Sequence, residues 1–244
     1  MPWSLVDGHW AGPRTTVAAR TRYIDDVLGE ALGRGVEQVV VLGAGFDARA
    51  YRIPRIERTR VFEVDHPATQ SRKRDVLMRR LGALPRHVTL VPADFATQTL
   101  DSVLLAAGFR RELPAFFICE GVTHYLSDGA VDALFRHVEA IGAAGSRMVF
   151  TYIHRGMLDG SAAFRGAADT LATVRRVGEP YTFGLDPSQI ASYLSARGFR
   201  LVEDVGASEY RERYLTPRGR GDELPAEFQR AALVEITKRP PAQA

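Results

Sequence analysis

Three acidic residues and a glycine turn stand where an α/β protein keeps its chemistry. The turn is Gly43-Ala44-Gly45 within VVVLGAGFDAR, directly after the apolar run Val39-Val40-Val41-Leu42. Glycines there let the chain turn sharply and let backbone approach a ligand with no Cβ in the way. Ala48 replaces the third glycine of the dinucleotide fingerprint, a permitted variant. Alone, the turn is equally well explained as a tight strand-to-helix connection. Asp65 adds to it by closing the next apolar run about twenty positions on, where a carboxylate can accept hydrogen bonds from both ribose hydroxyls. The pair points to a nucleoside-containing ligand, either a nicotinamide dinucleotide or S-adenosylmethionine.

Two further strand ends bear on that choice. Asp94 is followed by Phe95, so an acid can meet the adenine amine while the neighbouring ring lines the base. Glu120 closes the next run and can meet a positive charge in the same crevice. Acids at three successive strand ends favour a ligand with a sulfonium and an ammonium over one with an anionic pyrophosphate. Asp47, inside the turn, makes a phosphate less comfortable at the helix start that follows.

These residues need a scaffold, and the hydrophobic pattern supplies one. Short β-branched runs at 39–42, 61–64, 88–91, 116–119 and 148–150 read as strands buried on both faces. Between them lie helical patterns over 16–32, 68–81, 100–107 and a well-marked one after Ser127, with Val131, Leu134, Phe135 and Val138 on one stripe. Such alternation predicts stacked βαβ units, right-handed crossovers and a parallel sheet. It breaks after Tyr152. The Gly-, Ala- and Arg-rich stretch to residue 185, weakly helical over 162–174, reads as a lid or insertion. Asp186-Pro187-Ser188-Gln189 reads as a helix start. Runs at 201–205 and 233–236, with no clear helix between them, predict a terminal antiparallel pair. The expected organisation is a single domain over 1–244: a cofactor-binding core over 15–152, a lid over 153–185, and a C-terminal helix and strand pair over 186–239.

Composition narrows the setting. At 244 residues with 45% hydrophobic and 25% charged residues, the chain suits one globular domain and excludes disorder, collagen and coiled coil. No apolar run reaches the ~18 residues of a membrane span. The start MPWSLVDGHW lacks a basic stretch followed by an apolar core, so no signal peptide is expected. One cysteine, Cys119, rules out an internal disulfide or a cysteine-rich metal site, and no metal is expected. A cytoplasmic location is the expectation. The net charge is only +3, and no nucleic-acid module is present, so no nucleic-acid or membrane partner is expected. All basic residues but Lys73 and Lys238 are arginines, and the densest run, Arg72, Lys73, Arg74, Arg79 and Arg80, reads as a solvated helix face.

Five stretches in order carry a family resemblance: RTRYIDDVL (20–28), VVVLGAGFDARAYR (39–52), FEVDHPATQSRK (62–73), VPADF (91–95) and ICEGVTHYL (118–126). The chain resembles the leucine carboxyl methyltransferase-like family of class I S-adenosylmethionine-dependent methyltransferases, including bacterial members in natural-product pathways. The resemblance implies a Rossmann-like α/β fold: a seven-stranded, mostly parallel sheet with an antiparallel last strand, plus a helical lid. It also implies roles. Arg20 matches the arginine that pairs with the cofactor's methionyl carboxylate, Gly43 and Gly45 the loop beside the methionine moiety, and Asp65 the ribose acid. Asp94 and Phe95 match the adenine pair, and Glu120 the acid near the cofactor amino group. His124 stands where the family often has a hydrophobic residue.

The implied reaction is direct displacement at a methyl carbon activated by positive sulfur. A carboxylate acceptor is already ionised and needs no base, whereas a phenol (pKa ~10) or alcohol benefits from one. His124 and His154 are the candidate bases, each weighed against an ordinary strand-end histidine. His66, before Pro67, reads as structural. Tyr125, Arg155 and Tyr181 are candidate substrate contacts, Tyr125 weighed, like Tyr152, against packing; Arg155, Arg165, Arg175, Arg176 and Tyr181 suit an acidic substrate but are equally well explained as a flexible arginine-rich lid surface. The expected activity is O-methylation of a carboxylate or hydroxyl on a small molecule, of the kind found in secondary metabolism. A nicotinamide-dependent oxidoreductase, a non-catalytic protein with the same pocket, and methylation of a protein carboxylate are the alternatives. The sequence is silent on oligomeric state.

Overall fold

The uninterrupted apolar runs become the centre of the sheet. Strands β1 (Gln38–Leu42) and β4 (Ala115–Cys119) are buried at every position, as strands covered on both faces must be. The computed structural model describes residues 12–94 and 97–238; the opening segment read above for a leader, Phe95, and the end from residue 239 lie outside the described residues. With β2 (Arg60–Asp65), β3 (Val88–Pro92), β5 (Arg147–Ile153), β6 (Phe199–Val205) and β7 (Gln229–Ile236), the strands form one seven-stranded sheet in the order β3-β2-β1-β4-β5-β7-β6. Strands β1 to β5 pair in parallel, and β7 runs antiparallel to both β5 and β6. This is the expected Rossmann-like sheet with an antiparallel last strand.

Alternate side chains feed two cores. Val40, Leu42, Phe62, Phe117 and Cys119 join one core, with Val131, Phe135 and Val138 of α5 (Asp128–Ile141) packed into it. Val39, Val41, Val61, Phe116 and Ile118 join the other, beneath α1 (Pro13–Gly33). The chain leaves β3 at the sheet edge and returns to β4, beside β1. That reversal of order opens a crevice at the carboxyl ends of β1 and β4, where open α/β sheets bind ligands. The glycine turn leads from β1 to α2, a single turn over Arg49–Arg52, and α3 (Pro67–Leu81) follows β2. On α3, Arg72, Arg74, Arg79 and Arg80 are exposed as expected of a solvated face. Lys73 corrects that reading: it is buried, with Nζ 2.7 Å from Glu63 Oε2 and donating to the Asp47 carbonyl at 2.8 Å.

The segment after β5 leaves the sheet and comes back to it. It holds α6 (Arg155–Asp159) and α7 (Ala167–Arg176), so the weak helical signal begins five residues later than the pattern suggested. A small third core of Ile153, Met157, Ala226 and Phe228, with Phe164, Leu171 and Tyr181 against it, seats the segment. Its ends are tied where the Leu185 amide donates to the Ile153 carbonyl and the Arg155 amide to the Leu185 carbonyl, each at 3.0 Å.

Two local expectations change. Asp186 opens a turn rather than a helix, because its Oδ1 accepts from both the amide and the hydroxyl of Ser188; the helix α8 begins at Ile190. Between β6 and β7 lie α9 (Ala207–Tyr210), a π turn (Arg211–Leu215) and a 3-10 turn (Thr216–Arg218). Each piece is too short to leave a periodic signal in the sequence.

Candidate active site

The glycine turn is built by its backbone. Gly43 and Gly45 have φ of +65° and +45°, in the left-handed region that favours glycine. A Cβ on Gly43 would lie 2.5 Å from Val122 Cγ2, so the turn also lies directly against the segment that leaves β4. The Gly45 amide donates to Asp65 Oδ2 at 2.6 Å, and the His66 amide to Asp65 Oδ1 at 2.7 Å. Both oxygens of the predicted ribose acid are therefore aimed by backbone. His66 is structural, as read: it caps α3, its Nδ1 accepting from the Ala68 amide.

A cleft of about 400 Å³ opens beside the turn, lined by Arg20, Gly43, Gly45, Phe46, Arg49 and Glu120 among others. An ion-pair network forms its charged wall. Arg20 Nε donates to Glu120 Oε1 at 2.8 Å, and Arg49 Nη1 lies 2.7 Å from Glu120 Oε2. Arg49 also pairs with Asp47 (2.6 Å) and Asp25 (2.8 Å), and Arg52 holds both oxygens of Asp25. Burial alone would lower the Arg49 guanidinium, but the carboxylates of Glu120, Asp47 and Asp25 outweigh it and hold it above its ordinary value.

Arg49 was missed in the sequence, where the arginine excess reads as exterior. It is only 3% exposed. The signal was present in FDAR, an acid two residues before an arginine at a helix start. The network also refines the picture of acids facing a cation. Glu120 does line the crevice, but two guanidiniums share its carboxylate, so the wall carries both signs rather than an excess of negative charge.

Asp94 sits past the end of β3, beside β2, where the Ala93 amide donates to the Asp65 carbonyl at 2.9 Å. Its own amide donates to Gln98 Oε1 at 3.0 Å. The two acids thus share one sheet edge.

His124 lies in the 3-10 turn Thr123–Tyr125, beyond Glu120. Its ring packs against Tyr125 (4.4 Å between centroids) and Tyr181 (4.5 Å). The extended segment that returns to the sheet rests on the same turn, the Thr182 amide donating to the His124 carbonyl at 2.8 Å. Structure therefore joins His124, Tyr125 and Tyr181 into one aromatic cluster. Burial pushes the Tyr181 phenol up to about 12, helped by the neighbouring Tyr125. The other two candidates lie apart from it. His154 caps α6, its Nδ1 accepting from the Gly156 amide at 3.0 Å, with its ring on Phe164. Arg155 is exposed and donates to the Gly184 carbonyl at 3.1 Å, fastening the end of the segment that leaves the sheet after β5.

The His124 Nδ1 is buried and has no hydrogen-bond partner. Burial, and then the Arg20 charge, pull this imidazole down to about 4 from an ordinary 6.5. It is neutral at pH 7. The unfolded chain takes up this proton more readily than the folded one, so stability is full above pH ~6.5 and falls as pH drops toward ~4. His124→Gln is expected to lose roughly 2–3 kcal/mol less than wild type between pH 7 and about pH 4.5. Urea unfolding at the two pH values checks this.

No group of three or more His, Cys, Asp or Glu among the described residues is placed to hold a metal. No described helix is long and apolar enough to cross a membrane.

With this geometry in view, the likeness to known proteins is specific. A model of the leucine carboxyl methyltransferase family matches residues 7–139, over half of the chain. A protein of Mycobacterium sp. (strain KMS) with the provisional name S-adenosyl-L-methionine-dependent methyltransferase is 36% identical over 194 residues, covering 75% of this chain and 61% of that protein. One from Frankia alni, similarly named, is 38% identical over 159 residues, covering 65% and 54%. The chain thus spans only about half to three-fifths of the length of these curated relatives. Among solved structures, a DUF574-family protein from Streptomyces avermitilis has a TM-score of 0.66 at 16% identity, covering 93% of this chain and 86% of that one. Magnesium protoporphyrin IX methyltransferase from Synechocystis, with bound SAH, has a TM-score of 0.57 at 11% identity, covering 91% and 85%. At such identities these two share the fold. The chain belongs to the leucine carboxyl methyltransferase family of S-adenosylmethionine-dependent methyltransferases.

Proposed function

We propose that this chain binds S-adenosylmethionine in the cleft beside the glycine turn and methylates an oxygen of a small molecule, of the kind secondary metabolism provides, with a carboxylate as the acceptor group. The observation that carries this reading is the Arg20–Glu120 pair at 2.8 Å on the cleft wall. A guanidinium and a carboxylate side by side match the carboxylate and ammonium of a methionyl end, and Asp65 stands ready for the ribose. The donor set fits the cofactor, which supplies a methyl group activated by positive sulfur. Arg20 and Glu120 hold its amino-acid end, Asp65 orients its ribose, Asp94 and Phe95 take the adenine, and the lid excludes water.

A nicotinamide dinucleotide suits the cleft less well. Asp47 Oδ1 accepts from the Arg49 amide at 2.7 Å, so a carboxylate stands at the start of α2 where a pyrophosphate needs open amides.

The histidines favour one acceptor. A hydroxyl asks for a base, and a neutral His124 with no acid behind it is a weak one. His154 uses Nδ1 as a cap, leaving only Nε2 for chemistry. A carboxylate asks for neither. We assign His124, Tyr125 and Tyr181 to seating the acceptor, with Arg155 holding the lid over it. Cytoplasmic conditions suit a chain whose one thiol, Cys119, is buried and unpaired.

Methyl-labelled S-adenosylmethionine offered with a panel of small carboxylic acids and phenols tests this. Label released as a volatile product by mild base, the mark of a methyl ester, is expected. A base-stable ether would move the acceptor to a hydroxyl, and label in the macromolecular fraction would move it to a protein carboxylate.

A further inference from the structure

We infer that Lys73, buried behind the cleft, is a positioning residue for it: its ammonium holds the Asp47 carbonyl, and through Asp47 it sets the glycine turn and the charged wall. The inference rests on the S-adenosylmethionine reading of that cleft.

A buried ion pair is an expensive way to fill space. The Lys73 and Glu63 side chains are 4% and 0% exposed, with Nζ 2.7 Å from Oε2. An apolar pair of similar volume would serve packing as well or better. The acidic half is also poorly finished. Glu63 Oε2 accepts from the Tyr51 hydroxyl at 3.0 Å as well, while Oε1 is buried with no hydrogen-bond partner. Burial raises this carboxyl above its ordinary value, against the pull of Lys73. A pair kept for stability alone would complete the bonds of both oxygens.

The ammonium has a second partner, and that partner belongs to the cleft. Lys73 Nζ donates to the Asp47 carbonyl at 2.8 Å, and Asp47 lines the cleft with Gly45 and Arg49. The unit of β2 and α3 therefore grips the turn at two points, two residues apart. Asp65, at the end of β2, accepts from the Gly45 amide, and Lys73, on α3, donates to the Asp47 carbonyl. The Asp47 amide donates to the Ala44 carbonyl at 2.7 Å, so both peptide groups of Asp47 are fixed. Its carboxylate then aims Arg49, accepting from the amide at 2.7 Å and from Nη1 at 2.6 Å. Arg49 Nη1 lies 2.7 Å from Glu120 Oε2. Direct contacts thus run from Lys73 through Asp47 and Arg49 to Glu120, the acid assigned to the methionyl end. A shift at Asp47 moves both the turn and the wall.

Calorimetry with S-adenosylhomocysteine, well below every melting temperature, separates positioning from stability. Glu63→Gln leaves Lys73 its bond to Asp47 but strands a buried charge. It should melt below wild type and bind within about twofold of it. Glu63→Gln/Lys73→Met buries no charge but frees the Asp47 carbonyl. It should melt above Glu63→Gln, yet bind about tenfold more weakly than wild type, as when the turn holds its binding shape about a tenth of the time. Stability and affinity then change in opposite order, which a purely structural Lys73 would not produce. Glu63→Met/Lys73→Met gives the same reading if the first pair does not fold. Wild-type affinity in a folded neutral pair, or a weakening in Glu63→Gln equal to that in the pair, would overturn the inference while the cofactor reading stands. A folded wild type that gives no heat with S-adenosylhomocysteine would sink the cofactor reading itself, and this inference with it.

Discussion

Arg49→Met is expected to destabilise the fold by about 3–5 kcal/mol. Its guanidinium pairs with Asp25, Asp47 and Glu120, at 2.6–2.8 Å. Its side chain is 4% exposed and theirs are 13–17% exposed, so water cannot replace it well. Methionine keeps much of the stem volume, so the loss is of charge rather than of packing. Arg52 would still hold Asp25, and Arg20 would still hold Glu120. Asp47 would be left with backbone and little else, facing two other acids. Urea unfolding of the variant and wild type at pH 7 measures the loss. Arg72→Met, on the exposed face of α3, should stay within about 0.5 kcal/mol of wild type.

Asp65→Ala is expected to weaken S-adenosylhomocysteine binding by at least about a hundredfold. Two hydrogen bonds from ribose hydroxyls to a charged acceptor are worth about 3–6 kcal/mol together. The substitution also frees the Gly45 amide, which Asp65 Oδ2 holds at 2.6 Å, so the glycine turn loses its anchor as the ribose loses its partner. Asp65→Asn, which keeps one oxygen, should fall between the two. Calorimetric titration gives the affinities, and a thermal melt shows whether the turn's loss of anchoring extends to the fold.

How far the sequence carried this account depends on the kind of interaction. Strands such as Val39–Leu42 and Phe116–Cys119 were legible because a strand covered on both faces has to be apolar throughout. Asp65, Asp94 and Glu120 were legible because strand ends in a parallel sheet converge on one edge. Arg49 and Lys73 were not. Each is a basic residue among others in the chain, and only the fold brings Asp25 across from α1, or Glu63 up from β2, to bury the charge. The segment between β5 and residue 185 was visible as a break in the alternation. Its anchoring through His154, Arg155 and Leu185 depends on backbone bonds that residue types do not encode.

On the proposed reading, the mixed-charge wall at the ends of β1 and β4 receives the methionyl end of an adenosyl cofactor. Calorimetric titration of the folded wild-type chain with S-adenosylhomocysteine, alongside the nicotinamide dinucleotides, measures it. Saturable heat with S-adenosylhomocysteine, abolished in Glu120→Ala, and none with the dinucleotides is the predicted result. Binding of a dinucleotide, or no heat with S-adenosylhomocysteine, would contradict it.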